Sequence, residues 1–187
     1  MKGLLLFLGS VFLLVSCGTS QEAYVRHMTD RENGPWQQVE TENFVYALQY
    51  RPTAFQALIQ TQEKEAYEEL LAQAEGLEYY YLSILAKKEG FAFPAPGTPL
   101  RSTLESDFGF QAIRLEIGGK SLAPAEYYYE PSYNLRPEAG MLLAFKVGDV
   151  ESDDQERVLR IKGPFDTVER SLNMLETKIN GIPNFKL

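Results

Sequence analysis

The chain has 187 residues, of which 18 are Lys or Arg and 26 are Asp or Glu, and its formal net charge is −8. The basic residues form no cluster or stripe, so the sequence lacks the electrostatic footprint of a nucleic-acid-binding protein. A single cysteine and a single histidine exclude an internal disulfide and cannot supply the ligands of a zinc site. We therefore expect no metal, and because the glycines form no phosphate-binding loop we expect no nucleotide cofactor.

The N-terminus has the pattern of an export signal. Lys2 gives it a positive start, residues 4–15 are apolar, and the small Ser16 precedes Cys17. The apolar run is shorter than the roughly 20 residues needed to span a bilayer. This pattern resembles the signal peptide and lipobox of a bacterial lipoprotein. The resemblance implies cleavage of a signal peptide, residues 1–16, and acylation of Cys17 as a membrane anchor. The alternative is an ordinary secretory signal in which Cys17 falls by chance.

The segment after the cysteine is polar and contains few branched apolar residues. It ends in a turn-forming Asn-Gly-Pro sequence, so residues 17–35 are predicted to form a lipidated flexible tether. In the lipoprotein family an aspartate after the cysteine is the usual signal for retention in the inner membrane. Gly18 at this position therefore implies the outer membrane. Residues 36–187 are predicted to fold as one β-rich domain.

The overall organisation also resembles uncharacterised envelope lipoproteins of Gram-negative bacteria, especially those of Bacteroidota. In that group an acidic run just after the lipidated cysteine directs export to the cell surface. Residues 18–22 depart from that pattern. Periplasmic and surface-facing orientations both stay open.

One strand and one helix are predicted in the first half of the domain. Residues 41–51 alternate in polarity, as is typical of a half-buried strand, and one face collects Phe44, Tyr46, Leu48 and Tyr50. Pro52 stops the strand and suits the start of a helix. Residues 52–74 then place apolar side chains at helical spacing, and Gly76 suits the helix end.

From residue 77 onward the pattern indicates mainly β-structure. Strands are predicted at residues 77–86, 110–117, 121–129, 141–147, 157–162 and 173–179. The Gly118-Gly119 pair predicts a hairpin between the second and third of these strands, and residues 91–99 are predicted to form a loop. Residues 167–179 also fit a helical period. The predicted fold class is mainly β (α+β), a β-sandwich-like pair of antiparallel sheets with about seven strands and one packed helix.

Two Glu-Tyr-Tyr-Tyr runs, at residues 78–81 and 126–129, are the most unusual local feature. Exposed tyrosines can form a flat platform that stacks on sugar rings or contacts a partner protein. Tyrosine is also a common strand residue, and alternation sends the middle tyrosine to the face opposite its neighbours. The core interpretation is therefore favoured for at least one face of each run. The candidate binding surface consists of Trp36, Tyr80, Tyr128 and Tyr133.

No catalytic residue is assigned. His27 falls in the predicted tether, which argues against a rigid histidine-based catalytic arrangement. Paired carboxylates can hydrolyse glycosides without histidine, and the candidates are Glu116, Glu126, Glu130 and Glu138. Their spacing does not show whether any two of them face each other. Residues 149–156 are acidic but lack the ligand spacing of a calcium loop, so a solvated turn is predicted there.

These observations favour a non-enzymatic, membrane-anchored lipoprotein of the bacterial envelope with an accessory or structural role. Its expected partner, besides the membrane itself, is an envelope protein contacted through exposed aromatic residues or a free sheet edge. The alternative is a ligand-binding module for glycan that uses the tyrosine-rich strand faces. A carboxylate-dependent hydrolase ranks third.

Overall fold

Two antiparallel β-sheets pack face to face around the main hydrophobic core. The computed structural model describes residues 19–88, 91, 93–131, 138–148, 150 and 156–187. The predicted class, a mainly β, sandwich-like α+β fold, is confirmed. The described residues hold nine strands and six helices, more than the seven or so strands and one helix predicted from the sequence.

The two sheets contain five and four strands. The strands are β1 (Trp36–Glu40), β2 (Phe44–Arg51), β3 (Leu77–Ala86), β4 (Ile113–Ile117), β5 (Lys120–Leu122), β6 (Glu126–Glu130), β7 (Glu138–Lys146), β8 (Arg157–Ile161) and β9 (Arg170–Met174). The helices are α1 (Gln21–Thr29), α2 (Thr53–Leu58), α3 (Lys64–Gln73), α4 (Pro99–Ser106), α5 (Phe108–Ala112) and α6 (Glu176–Asn180). The larger sheet has the order β1-β2-β3-β7-β6 and the smaller the order β5-β4-β8-β9. None of the described helices is both long and apolar enough to cross a membrane.

Strand alternation determines which side chains enter the core. The face predicted for β2 is confirmed, because Phe44, Tyr46 and Leu48 are buried and Tyr50 is half-buried against them. The inner faces of the two sheets meet in one continuous cluster that includes Leu48, Leu82, Ile84, Met141, Leu143, Leu115, Leu159 and Leu172. The outer face of the smaller sheet is polar, whereas the outer face of the larger sheet is partly covered by helices.

The chain changes sheets between β5 and β6. Gly118 and Gly119, with φ of 56° and 73°, form the predicted tight turn, and β5 pairs with β4. Pro124 follows β5 and cannot donate a ladder hydrogen bond. The next strand, β6, then pairs with β7 of the larger sheet. The single strand predicted at residues 121–129 is therefore wrong, since its two halves belong to different sheets.

Three other predicted elements have different boundaries in the structure. The helix expected at residues 52–74 is two helices, because the Thr61 hydroxyl accepts a hydrogen bond from the Glu63 N–H (3.1 Å) and competes with helix continuation. The strand expected at residues 110–117 starts later, since α5 occupies its first part. The strand predicted at residues 173–179 is wrong for most of its length, because β9 ends at Met174 and α6 begins at Glu176. The alternative helix over residues 167–179 is present only in its last part.

The segment predicted to be a flexible tether is folded from residue 21 onward. Ser20 caps α1, because its hydroxyl accepts a hydrogen bond from the Ala23 N–H (3.3 Å). Tyr24 and Met28, one helical turn apart, are buried in a second hydrophobic cluster with residues of α2 and α3. Tyr24 also stacks on Phe185 near the C-terminus, with ring centroids 4.7 Å apart. The tether prediction is therefore wrong for this segment, because α1 has its own buried face.

Polar contacts fasten the end of α1 to the larger sheet. The Met28 carbonyl accepts hydrogen bonds from the Gln49 side chain (2.6 Å) and the Trp36 indole (3.0 Å). These two donors satisfy a carbonyl that the helix end leaves without an intrahelical partner. Gly34 then lies so close to the helix that a Cβ would overlap the backbone carbonyl of Asp30. The boundary of the folded unit is thus N-terminal to α1 rather than at Trp36.

A Met28→Ala substitution distinguishes a packed helix from a tether. Met28 is fully buried, so we expect the substitution to lower the free energy of unfolding by about 2–5 kcal/mol through lost burial and a residual cavity. Urea unfolding followed by circular dichroism measures this change. Arg26→Ala on the exposed side of the same helix is the matched control and should have little effect. Equal stability of the Met28→Ala variant and the wild type would mean that α1 is not docked.

Candidate functional site

The residues predicted to form one binding surface do not lie together. Trp36 is on β1 and Tyr128 is on β6, at the two opposite edges of the larger sheet. Tyr80 is on β3 in the middle of that sheet and is fully buried. Cys17 and Tyr133 lie outside the described residues. The predicted platform is therefore wrong for Trp36, Tyr80 and Tyr128 as a group, and Tyr80 is a core residue.

The Tyr80 hydroxyl belongs to a buried ionic cluster between the two sheets. It donates a hydrogen bond to the carboxylate of Glu78 (2.7 Å). Arg157 of the opposite sheet forms a bidentate ion pair with the same carboxylate, with Nη2 2.9 Å from Oε1 and Nε 3.1 Å from Oε2. Burial, and then the negative charge of Glu78, raises the pKa of Tyr80 well above its usual value. Because both charged side chains are buried, this cluster links the sheets and is not an accessible site.

The neighbouring Tyr81 points to the outer face of the larger sheet. Its hydroxyl donates a hydrogen bond to Glu130 on β6 (3.1 Å) by passing over Gly140 of β7, where a Cβ would overlap it. The guanidinium carbon of Arg51 lies 4.2 Å from the Tyr81 ring centroid. Burial and the charge of Glu130 raise the pKa of Tyr81. The polar side chains on this half of the outer face are thus held in place by contacts with one another.

The second Glu-Tyr-Tyr-Tyr run forms β6 and has the opposite orientation. Tyr127 and Tyr129 point inward, and Tyr128, which is 61% exposed, points outward between the exposed Glu126 and Glu130. Strand β6 ends the larger sheet, and no described strand pairs with its outer side. The free edge of β6 therefore presents one exposed aromatic ring between two carboxylates.

Helices α4 and α5 hold the inner side of β6 in place. The Tyr127 hydroxyl donates a hydrogen bond to the Leu104 carbonyl (2.5 Å). The Tyr127 ring lies on Gly109, where any side chain would overlap it. Phe110 packs edge-to-face on the same ring, 5.9 Å between centroids, and is itself exposed. The edge strand is therefore supported from behind and has a second exposed aromatic residue beside it.

Trp36, at the other edge, has a structural contact. Its indole N–H is bonded to the end of α1, and the Arg31 guanidinium carbon lies 5.0 Å from its ring centroid. Both contacts connect the segment after α1 to β1. Trp36 is thus half-buried by its own chain and does not extend the surface around β6.

The four candidate carboxylates are distributed over both sheets. Glu116 is on the outer face of the smaller sheet and pairs with Arg160 (2.6 Å). On the larger sheet, Glu130 accepts the Tyr81 hydrogen bond, and Glu138 accepts one from Ser83. Glu126 is at the opposite end of β6 from Glu130. The described cavities each contain at most one of these four carboxylates.

His27 lies in α1 and not in a solvated tether. Its Nε2 is buried without a hydrogen-bond partner among the described residues. Within that part of the chain, no three His, Cys, Asp or Glu side chains come together as metal ligands. Most of the acidic stretch at residues 149–156 lies outside the described residues.

The structural role of Gly109 and Gly140 could not be predicted from the sequence. Each allows a tyrosine from a neighbouring strand to cross its backbone closely, which places Tyr127 and Tyr81. A glycine inside a helical or strand pattern is a general signal of close backbone approach. The signal does not identify which residue approaches.

Comparisons with known proteins give no match. No protein-family model matches the chain, and no curated protein and no solved structure has significant similarity to it. Its function is therefore inferred from its own residues and geometry.

Proposed function

We propose that this protein is a non-enzymatic lipoprotein of the bacterial envelope, anchored in the outer membrane by acylated Cys17, that docks on an envelope protein through the edge of β6. The anchor is supported by the N-terminal pattern that ends at Cys17. The observation that carries the docking is the position of Tyr128 on an edge strand whose outer side is paired with no described strand, where Tyr128 is exposed between two carboxylates.

The backbone of an edge strand supplies the main contact. Its outward N–H and C=O groups can pair with an extended segment of another protein, which adds a strand to the sheet. Tyr128 adds a large, amphipathic contact area at low cost in side-chain entropy, since only two torsions are fixed. The packing of Tyr127 on Gly109 and Leu104 keeps the strand ordered before the partner arrives, which lowers the cost of binding.

The charges on β6 indicate the chemistry of the partner. Glu126 and Glu130 flank Tyr128 on the same face, and the whole chain has a net charge of −8. A partner segment with basic residues beside an apolar recess would complement this edge. Two copies of β6 paired antiparallel would bring their glutamates together, which disfavours self-association and selects against acidic partners.

A photo-crosslinking phenylalanine analogue placed at position 128 tests the docking in cells. We expect one dominant crosslinked envelope protein, identified by mass spectrometry, because the ring at this position contacts the partner directly. The matched control places the same analogue at Gln38, on the same sheet face but at the opposite edge. Absence of a product at position 128, or equal products at both positions, would contradict docking at β6.

A Cys17→Ser substitution in the chain that carries the photo-crosslinking analogue tests the anchor independently of the docking. We expect this variant to lose its acyl mass and its membrane association. Persistent membrane attachment would contradict lipidation, whatever the crosslinking result.

A further inference from the structure

A cavity of about 240 Å³ lies between helices α2 and α3 and the outer face of the larger sheet. The helices form one side and side chains of β3, β7 and β6 form the other, and both sides contain aliphatic and polar residues. The lining residues are Thr53, Gln56, Ala57, Gln60, Leu70, Gln73, Ala74, Leu77, Tyr79, Glu126 and Leu142. This volume is below the roughly 300–1,000 Å³ of pockets for drug-sized ligands, so it suits a smaller molecule.

Gln56 is the most informative residue of this cavity. Its side chain is only 6% exposed, and Oε1 is buried without a hydrogen-bond partner among the described residues. A buried amide oxygen without a hydrogen-bond partner costs free energy, because it has lost its hydrogen bonds to water and has made none to the protein. A leucine at this position could be buried beside Phe55 and Ala57 without that cost. Because Oε1 has almost no accessible surface, a ligand in the cavity would contact Gln56 through the rest of its side chain, which lines the cavity.

Two residues of the tyrosine-rich runs complete the polar side of the cavity. Tyr79 and Glu126 both pair with Ala144 of β7, which lies between them, so they are two strands apart on the same face. Burial and the charge of Glu126 raise the pKa of Tyr79, so the hydroxyl keeps its proton and can donate it in a hydrogen bond. The two Glu-Tyr-Tyr-Tyr runs thus meet at this cavity, with one member from each.

The polar groups differ in what they offer a ligand. The Glu126 carboxylate accepts hydrogen bonds, whereas the Tyr79 hydroxyl and the amide nitrogen of Gln56 donate them. No Lys, Arg or His is among the lining residues, so nothing there would neutralise a phosphate or a carboxylate. Leu70, Leu77 and the other aliphatic residues would pack against C–H groups.

We propose that this cavity binds a small, uncharged polyhydroxyl ligand of about the size of one sugar ring, held by Gln56, Tyr79 and Glu126. Hydroxyl groups both donate and accept, so they match the polar lining residues, and the C–H groups of the ring match the aliphatic ones. The site shares Glu126 with the face of β6 that carries Tyr128, but it does not depend on the proposed docking.

A larger depression of about 410 Å³ at the β4–β5 turn is a weaker candidate. Its carboxylate Glu116 is already paired with Arg160. None of the buried, unpartnered side-chain atoms of the described residues lines it. Its carboxylate is therefore already engaged, whereas Tyr79 and Glu126 of the smaller cavity lie on either side of Ala144 and both line the cavity.

Titration of the full-length protein with simple glycosides tests this site. The protein is kept in a detergent whose headgroup contains no sugar, and the probes are the methyl glycosides of glucose, galactose and N-acetylglucosamine. Saturation-transfer NMR and calorimetry detect binding. We expect at least one glycoside to bind with a millimolar or lower Kd, and propylamine and inorganic phosphate not to compete. We expect Gln56→Leu and Glu126→Gln each to weaken binding roughly tenfold, as for the loss of one or two hydrogen bonds.

The matched control is Glu130→Gln, which changes the other glutamate of β6 outside the cavity and should bind as the wild type does. Gln56→Leu has a second expected result, a higher thermal midpoint without ligand, because an unsatisfied buried amide is removed. Loss of binding together with a gain in stability would show that Gln56 serves the ligand and not the fold. The proposal is overturned if no glycoside binds, if binding survives in both cavity variants, or if propylamine binds more tightly than every glycoside.

Discussion

Replacement of Arg157 by methionine is expected to lower the free energy of unfolding by about 3–5 kcal/mol, the largest loss expected from a single substitution here. The carboxylate of Glu78 would stay buried between the sheets, and among the described residues only the Tyr80 hydroxyl would still donate a hydrogen bond to it. An uncompensated buried charge is costly because the protein interior screens it poorly. Urea unfolding, followed by the fluorescence of the single tryptophan and by circular dichroism, measures the change.

Two further variants make this result specific. Arg160→Met lies on the same strand but on the exposed face, where its ion pairs with Glu116 and Glu169 are screened by water, so we expect little change. The triple variant Glu78→Leu, Tyr80→Phe and Arg157→Met removes every member of the cluster and should recover most of the lost stability. Equal stability of Arg157→Met and the wild type would show that the pair is not desolvated.

Alkaline unfolding that begins near pH 10 is the second large effect expected. Burial is the main cause that raises the pKa of nine tyrosines, which are Tyr24, Tyr46, Tyr50, Tyr67, Tyr79, Tyr80, Tyr81, Tyr127 and Tyr129. Their stabilising contribution is complete below pH 10, the usual tyrosine value, and is lost as the pH rises towards the folded-state value. For Tyr46, whose pKa is raised to about 12, this window runs from pH 10 to about 12.

The free energy of unfolding falls as the pH rises because the unfolded chain releases these protons at a lower pH than the folded chain does. Each buried tyrosine then contributes up to about 1.4 kcal/mol of lost stability per pH unit above 10. The fully buried Tyr24, Tyr46 and Tyr80 should contribute most, and the half-exposed ones less. A pH titration that records tyrosinate absorbance and circular dichroism together should show both signals changing in one cooperative step.

Phenylalanine variants give the control for this titration. Tyr46→Phe should move the alkaline midpoint upward, because one buried ionisable hydroxyl is removed. Tyr128→Phe should leave it unchanged, since Tyr128 is exposed. Gradual ionisation without loss of structure would contradict the buried positions of these side chains.

The strands with clear alternation could be predicted from the sequence, and the location of the core follows from them. The β2 face built on Phe44, Tyr46 and Leu48 and the complete extent of β3 are confirmed. Helix α1 was not predictable in the same way, because its buried face has only Tyr24 and Met28 and its cap is a single serine. In a nine-residue helix, so few apolar positions do not distinguish a docked element from a polar linker.

The candidate sites depend on facts that no local pattern contains. Alternation correctly indicates that the middle tyrosine of each run points away from its neighbours, but it does not say which face is the inner one. In the first run the middle residue, Tyr80, is buried, whereas in the second run the middle residue, Tyr128, is exposed. That difference is set by the pairing of each strand with β7, which is a tertiary contact. The cavity around Gln56 likewise requires the helices and three strands to meet.

The packing of α1 limits the distance between the folded domain and the proposed lipid anchor at Cys17. Only residues 18–20 separate Cys17 from the first residue of the helix, and an extended chain covers at most about 3.6 Å per residue, so the span is on the order of 14 Å. A flexible linker of the full predicted length could have extended several times further. Under the proposed acylation of Cys17, so short a linker would hold the acidic body close to the lipid headgroups. The β6 edge lies four strand positions from β1, which is hydrogen-bonded to α1 through Trp36, about 19 Å across the sheet. A partner of the proposed docking edge would therefore meet it close to the membrane surface.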